Sequence, residues 1–564
     1  MGLSLTLIFL WLLFYGAVAL QKPLQVYEHH SRGLPLDDSF DEKVDWVREH
    51  FKIPGLAVAV VREETYTKVS HPVFQKSSLH RCLMLEIDEK NQQGYGFSDI
   101  ISSQPVTEHT LFFTGSTTKA FTAAAISLLV DDELNFPSIN WNTPVHSILP
   151  EDFVLSDPWS TSQMTIIDIL SHRSGLPRHD WVWLSNITLK EAVHSMRDLP
   201  FTASPRTEWQ YCNLMYMAAS HLIETVTNQS LESFLMENIW LPLNMTETYL
   251  SVSEAQKAHS DISQGYYVNL EGEFASSERT FIHTLRGAGN VLSSVSDYAK
   301  WISTLLNQEP PFSQQSYAKL FGGHSIVSPN AVEPFQTPTL YGLGWMSAAY
   351  QGEMMVFHGG SQIGYGASVM LLPQRKFGLV LLGNNMDGVS VAADVLAYHL
   401  IDEELGVPLK DRFDWVTRGD ALINQTHLSE NILSELYPTI PDPPFPSPVN
   451  FSAYEGSYTH PAYPEFKISS NCTGDERVYK RLNWTTPDLC AILPRHNDYS
   501  IDTKLYFFHV SGTFWYQIGL SWDVPTPSRV EFEIGPDGSV TRLGIEIEPT
   551  MAEQREKIWW KHVY

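Results

Sequence analysis

The sequence predicts an α+β chain whose C-terminal part is all β, and three observations predict it. Short unbroken apolar runs at 56–61 (LAVAVV) and 378–383 (GLVLLG) have the length and composition of buried strands. Apolar stretches of helical length stand beside them at 120–129 and 391–405. Six prolines between Pro438 and Pro448 then end that texture, and beyond them the chain turns aromatic and alternating.

Taken in order, residues 3–14 form an apolar run followed by Gly16-Ala17-Val18-Ala19, the small-x-small pattern a signal peptidase needs. This predicts a signal peptide over 1–19 and a secreted product. An uncleaved anchor is the competing reading, but the run is short and a cleavage site follows it. No later stretch is apolar for long enough to span a bilayer. Residues 41–51 (DEKVDWVREHF) place Val44, Trp46, Val47 and Phe51 at roughly helical spacing, and Pro54-Gly55 breaks the helix before the first strand. A polar, irregular stretch reaches Gly94-Tyr95-Gly96. Gly115-Ser116 then leads into an apolar helix through Val130, and 160–250 carries several helical stretches punctuated by Pro and Gly. These elements assign 20–420 to one catalytic domain and 421–450 to a Pro-rich linker. Runs at 505–508, 514–518, 530–534 and 543–547, with a hairpin turn at Gly535-Pro536-Asp537-Gly538, make 451–564 a small β-barrel or sandwich.

The net charge of -27 over 564 residues argues against nucleic acid, which must be met by clustered Lys and Arg, and disfavours an anionic membrane surface. Asn186, Asn228, Asn244, Asn424, Asn450, Asn471 and Asn483 each open an N-x-Ser/Thr triplet, which agrees with export as a glycoprotein. The four cysteines are too few for a disulfide scaffold. Cys472 and Cys490, close together in one β-like region, are the first pair expected. Spacing leaves Cys82 and Cys212 open.

The chemistry centres on Ser116-Thr117-Thr118-Lys119. A serine at the start of a helix carries a backbone N–H among the unsatisfied donors there, suited to an oxyanion. Lys119, three residues on, shares its face and reaches the hydroxyl. At the edge of an apolar helix its ammonium is disfavoured, which makes a neutral base accessible. The pattern also arises by accident: Ser316-Tyr317-Ala318-Lys319 repeats it without the preceding Gly or the long apolar helix, and reads as a surface helix. Two further groups raise Ser116 above that level. Tyr211-Cys212-Asn213 stands before a helical run at 214–226, where the phenol would relay a proton and the Asn213 amide would hold a substrate amide. His358-Gly359-Gly360-Ser361 follows a strand-like run; its glycines let a substrate backbone lie along the strand edge, and Ser361 N–H would be a second oxyanion donor. Tyr267-Val268-Asn269 repeats the short pattern within a hairpin-like stretch and reads as strand and turn. His29, His30, His172, His179 and His399 read as structural.

In these motifs the sequence resembles the serine β-lactamase and penicillin-binding protein superfamily, in its class C, esterase and D-aminopeptidase branch. Matches run in order over about 40–405: Ile53-Pro54-Gly55, Gly115-Ser116-x-x-Lys119-Ala120, Leu170-Ser171-His172-Arg173-Ser174-Gly175-Leu176, Tyr211-x-Asn213, Ala288-Gly289-Asn290-Val291-Leu292-Ser293 and His358-Gly359-Gly360. The resemblance implies an antiparallel sheet flanked by helices with a helical subdomain, Ser116 as nucleophile with Lys119, and Tyr211 as the catalytic tyrosine. It implies Asn213, His358, Gly360 and Ser361 as substrate-binding. Members that attack β-lactams generally have Lys-Thr-Gly at the third motif; His358 there implies an esterase or aminopeptidase. The C-terminal region is similar in texture to the lipocalin-like domains appended to some of these enzymes.

The expected activity is therefore hydrolysis of an ester or amide bond, in a small-molecule or short-peptide acyl substrate, through an acyl-Ser116 intermediate. Acyl transfer from the same intermediate and a silent receptor on the same fold are the alternatives. Either Lys119 or Tyr211 is the acylation base. The mechanism calls for no cofactor, and no metal-ligand spacing is present.

Overall fold

The computed structural model describes residues 36–62, 91–184, 186–259, 261–269, 271–279, 282–426, 432–472, 486–493, 503–521 and 524–563. Residues 1–19, Cys82 and Asn483 lie outside them. Nine antiparallel strands build the main sheet: β1 (Gly55–Arg62), β2 (Gln92–Asp99), β3 (Gln104–Pro105), β4 (Ser325–Ser328), β5 (Thr339–Tyr341), β6 (Met346–Tyr350), β7 (Glu353–Gln362), β8 (Tyr365–Leu372) and β9 (Phe377–Gly383). Their spatial order is β3-β2-β1-β9-β8-β7-β6-β5-β4, so the first strand closes on the last, with Leu56 opposite Gly383 and Arg62 opposite Phe377. The residues between β3 and β4 contain most of the helices.

Both apolar runs read as buried strands are central, because helices cover both faces of the sheet. Side chains alternate between faces along a strand. Ala57, Ala59, Val380 and Leu382 therefore join the core under α2 (Thr118–Asp131), α3 (Asn213–Thr227) and α4 (Val295–Asn307). Leu56, Val58, Val60, Leu379 and Leu381 join the core under α1 (Asp38–His50) and α5 (Met386–Leu405). Helix α1 starts three residues before its periodic stretch because the Asp37 carboxylate accepts the N–H groups of Ser39 and Phe40, each at 3.0 Å. Among the described residues no helix is long and apolar enough to cross a membrane.

A helix at Trp415–Thr426 runs across residue 421, where the sequence places the start of the linker. The proline-rich stretch itself has no regular structure, since Pro supplies no N–H and restricts the residue before it. Eight antiparallel strands then close into a barrel from β10 (Gly456–Thr459) to β17 (Ile558–Val563), with Ser457 opposite Val563 at the seam. Its interior is packed with aromatic rings: Tyr454, Tyr458, Phe466, Trp515, Phe532 and Trp560 are buried against one another. Cys472 and Cys490 are joined by a disulfide with Cα atoms 5.6 Å apart, and Cys212 is a free, buried thiol.

The repeat of the Ser-x-x-Lys pattern is taken apart by its surroundings. Ser316 is buried with its hydroxyl donating to Asp131 at 2.7 Å, while Lys319 faces solvent. Tyr267 lies on a strand, Gly265–Val268, paired with Phe274–Ser277.

Candidate active site

Ser116 sits in a single 3-10 turn, Gly115–Thr117, that feeds directly into α2. Gly115 has φ +53°, and a Cβ there would lie 2.3 Å from the backbone N of Ser361, so glycine is what lets β7 pass this close. The turn is pinned by Thr118, whose hydroxyl donates to Gly115 O at 2.7 Å and accepts Val291 N–H at 3.1 Å.

Lys119, the second residue of α2 and one turn beyond Ser116, is fully buried. Its Nζ lies 3.2 Å from Ser116 Oγ, 2.8 Å from Asn213 Oδ1 and 2.7 Å from Ala288 O. Burial holds its amine well below the usual lysine range, and the Arg178 charge pushes the same way. Ala288 belongs to the Ala288-Gly289-Asn290 motif, so that stretch contributes a carbonyl oxygen to the site rather than a side chain.

Tyr211 enters from the loop before α3. Its ring lies 4.7 Å from Lys119 Nζ and 5.3 Å from the Arg178 guanidinium carbon. Burial raises the phenol above its ordinary value, against the opposing pull of its hydrogen bond with Ser116 and of the Arg178 charge, so it remains a proton donor. His172 supports the loop: its ring packs 4.2 Å from the Tyr211 ring, and its Nδ1 accepts Cys212 N–H at 3.1 Å.

Asn213 opens α3 with both ends of its amide engaged by protein. Oδ1 receives Lys119, and Nδ2 donates to Asp180 Oδ1 at 3.0 Å, which fixes the amide's orientation because a carboxylate only accepts. Asp180 in turn takes Arg178 Nε at 2.6 Å and Trp183 Nε1 at 3.1 Å. Arg178 and Asp180 were not singled out in the sequence; the available signal was their place just beyond the motif ending at Leu176.

The third motif lies on β7. Strand β6 pairs with β7 only from Glu353 to Phe357, so 358–362 has one edge uncovered. Gln362 and Tyr365 flank a two-residue turn and form its hydrogen-bonded pair. By alternation Ser361 then turns its N–H away from β8, toward the Ser116 turn. Gly360 makes the approach possible, since a Cβ there would meet Thr114 O at 2.0 Å, while a Cβ on Gly359 would make only an ordinary contact, with Ala367 O at 3.9 Å. His358 is buried with both ring nitrogens engaged: Nδ1 donates to Gly359 O at 2.6 Å, and Nε2 accepts the Tyr341 hydroxyl at 3.1 Å. Burial pushes it down to about 3, so the ring is neutral and supplies no cation.

The structure thus brings Ser116, Lys119, Tyr211, Asn213, Gly360 and Ser361 together, with His358 underneath the strand. Ser116 and Tyr211 are both buried, at 7% and 5% exposure. Asn186, Asn228, Asn244, Asn424, Asn450 and Asn471 are all exposed. Among the described residues no group of three or more His, Cys, Asp or Glu side chains is arranged to hold a metal ion.

A family model described as Beta-lactamase matches residues 40–403. "Unguisins hydrolase ungD'" of Aspergillus campestris (strain IBT 28561) is 36% identical over 539 residues, covering 94% of this chain and 92% of its own length. "Unguisins hydrolase ungD" of Aspergillus violaceofuscus (strain CBS 115571) is 34% identical, covering 94% and 91%. The octameric penicillin-binding protein homologue from Pyrococcus abyssi shares the fold with a TM-score of 0.54 at 19% identity, over 90% of this chain and 97% of that one.

Proposed function

The chain belongs to the beta-lactamase family and is a serine hydrolase, and we propose that it cleaves an amide or ester bond through an acyl-Ser116 intermediate with Lys119 as the base. One observation carries the assignment of the base. A neutral amine has two N–H donors and one lone pair. Asn213 Oδ1 and Ala288 O only accept, so they take both donors and leave the lone pair facing Ser116. The Ser116 hydroxyl then donates to Lys119, and attack on the substrate carbonyl moves that proton onto the amine.

The oxyanion forms between the Ser116 and Ser361 N–H groups. Tyr211, protonated at rest, hands a proton to the leaving nitrogen or oxygen as the carbonyl reforms, and is reprotonated at the expense of Lys119. Water then attacks the acyl carbon, gives its proton to the same pair, and Ser116 leaves with a proton.

The names of the two fungal relatives make unguisins the first compounds to offer. The leader-like residues 1–19, the exposed glycosylation triplets and the disulfide support secretion as a glycoprotein, since disulfides persist in oxidising compartments. The test is incubation of the secreted protein with unguisins and with a panel of ester and D-aminoacyl amide substrates, beside Ser116→Ala. Product formation by the wild type alone, with a trapped acyl adduct on the Ser116 peptide, is expected. An adduct on another residue, or equal turnover by Ser116→Ala, overturns the reading.

A further inference from the structure

We propose that Glu548, a residue of the C-terminal barrel domain, is a positioning residue of the active site: by accepting the His179 N–H it holds the turn from Arg178 to Asp180 that orients Asn213 and, through it, Lys119. The proposal rests on the reading of Ser116 and Lys119 given above.

The contacts form an unbroken line from the barrel to the nucleophile. Glu548 Oε2 accepts His179 N–H at 2.8 Å. The next residue, Asp180, accepts Asn213 Nδ2 at 3.0 Å; Asn213 Oδ1 lies 2.8 Å from Lys119 Nζ; and Nζ lies 3.2 Å from Ser116 Oγ. The catalytic domain supplies every group in this line except the first.

His179 needs such a hold. Its φ of +48° lies in the left-handed region that residues with a Cβ rarely occupy, and such conformations persist where surrounding contacts over-determine them. A second barrel residue grips its side chain. His179 Nε2 donates to Pro200 O at 2.9 Å, which leaves Nδ1 as the acceptor for the Tyr463 hydroxyl at 2.5 Å. Burial pushes His179 down to about 4, which keeps this neutral tautomer. Trp181, on the same turn, packs 6.5 Å from Trp560 of the last barrel strand. The barrel therefore fixes the backbone, the imidazole and the following aromatic of one turn, while the carboxylate of that turn faces the catalytic amine's partner.

Glu548 is buried with the charges of Arg178 and Asp180 beside it, and burial raises its carboxyl to about 7. Accepting the His179 N–H requires only an oxygen lone pair, which Glu548 retains with a proton on its other oxygen. A glutamine keeps that acceptor, and an alanine does not.

The experiment uses the full-length secreted protein and a fluorophosphonate probe, reading both the rate constant of Ser116 labelling and its final extent. A role in folding alone lowers the extent and leaves the rate of the labelled molecules unchanged. A positioning role lowers the rate. Glu548→Ala is expected to slow labelling about tenfold at undiminished extent, and Glu548→Gln to restore it to within about threefold of the wild type. Labelling of Glu548→Ala at the wild-type rate overturns the proposal, as does a Glu548→Gln rate as slow as that of Glu548→Ala. Should Glu548→Ala not be recovered folded, Tyr463→Phe decides: a slowed rate supports the proposal and the wild-type rate overturns it. Absence of labelling on Ser116 in the wild type would sink the proposed function itself, a separate outcome.

Discussion

Lys119 Nζ lies 2.7 Å from the carbonyl oxygen of Ala288, a residue 169 positions further along the chain. In the proposed mechanism this oxygen and Asn213 Oδ1 take the two hydrogens of the neutral amine, which leaves its lone pair for Ser116. The oxygen belongs to the backbone, so no side-chain substitution at Ala288 removes it directly.

The first prediction concerns the amine itself. Lys119→Met keeps the length of the side chain and removes the base, and acylation should fall by about a hundred- to ten-thousandfold. Lys119→Arg should be equally poor, because guanidinium stays charged and cannot accept the proton. Single-turnover acylation by an activated ester measures both; an active arginine variant would remove lysine from the role of base.

The dependence of rate on pH follows from the direction of the Lys119 shift. Its folded-state pKa lies below that of a free lysine, so the neutral form is available at a pH where a free lysine is still charged. The acidic limb of kcat/KM should therefore fall well below the ordinary lysine range. A limb sitting at the value of an unperturbed lysine would contradict the burial argument.

Stability should fall as the medium is acidified below neutrality. His358 is pushed from 6.5 to about 3 and His179 to about 4, while His172 is lowered well below its ordinary value, in each case chiefly by burial. Between the folded and unfolded pKa values the unfolded chain binds more protons, so the slope of unfolding free energy against pH is positive there. Their full contribution is present above about pH 6.5 and is lost progressively as pH falls through the folded values, about 4 for His179 and about 3 for His358, and it is partly offset by Glu548, whose carboxyl is raised to about 7. Thermal melting between pH 7 and 4.5 reads this out, with a lower Tm expected at the acid end.

Close backbone approach at the oxyanion donors gives a steric prediction. Gly115→Ala places a Cβ 2.3 Å from Ser361 N, and the backbone there already has φ +53°. Displacing one donor should cost about a hundred- to a thousandfold in kcat. Gly359→Ala, whose Cβ would meet only Ala367 O at 3.9 Å, should fold normally and alter KM more than kcat. Equal kcat in Gly115→Ala and the wild type would dismiss Ser361 N–H as a donor.

Removal of the disulfide should act on the barrel alone. Cys472 and Cys490 are 18 residues apart, and a closed loop of that size is worth about 3 kcal/mol in the unfolded-chain entropy account. The Cys472→Ser, Cys490→Ser double variant should lower the barrel's melting transition while leaving the Ser116 labelling rate within about twofold.

Much of this was legible because local chemistry and local sequence coincide. The separation of Ser116 and Lys119 is one helical turn, so the helix itself delivers the amine to the hydroxyl. The paired strands 55–62 and 377–383 announce burial on both faces by unbroken apolar runs. Gly115 and Gly360 stand in the motifs because close backbone passage leaves no room for a Cβ. Arg178 and Asp180 were silent for the opposite reason: a charged pair reads as a solvated loop until its burial is known.

By itself the sequence determined the α+β class, the turn to β structure after the prolines, and the one-turn spacing of Ser116 and Lys119, since periodicity and short spacings are properties of the chain alone; Tyr211, far away in sequence, was singled out through its motif and the family resemblance. Only the tertiary structure decided which acceptors surround Lys119, that both His358 nitrogens are spent inside the protein, and that Glu548 and Tyr463 reach the turn beside Asn213. Each of these depends on groups far apart in sequence meeting at hydrogen-bonding distance. Burial then sets which proton each of them holds, and neither distance nor burial is written in local composition.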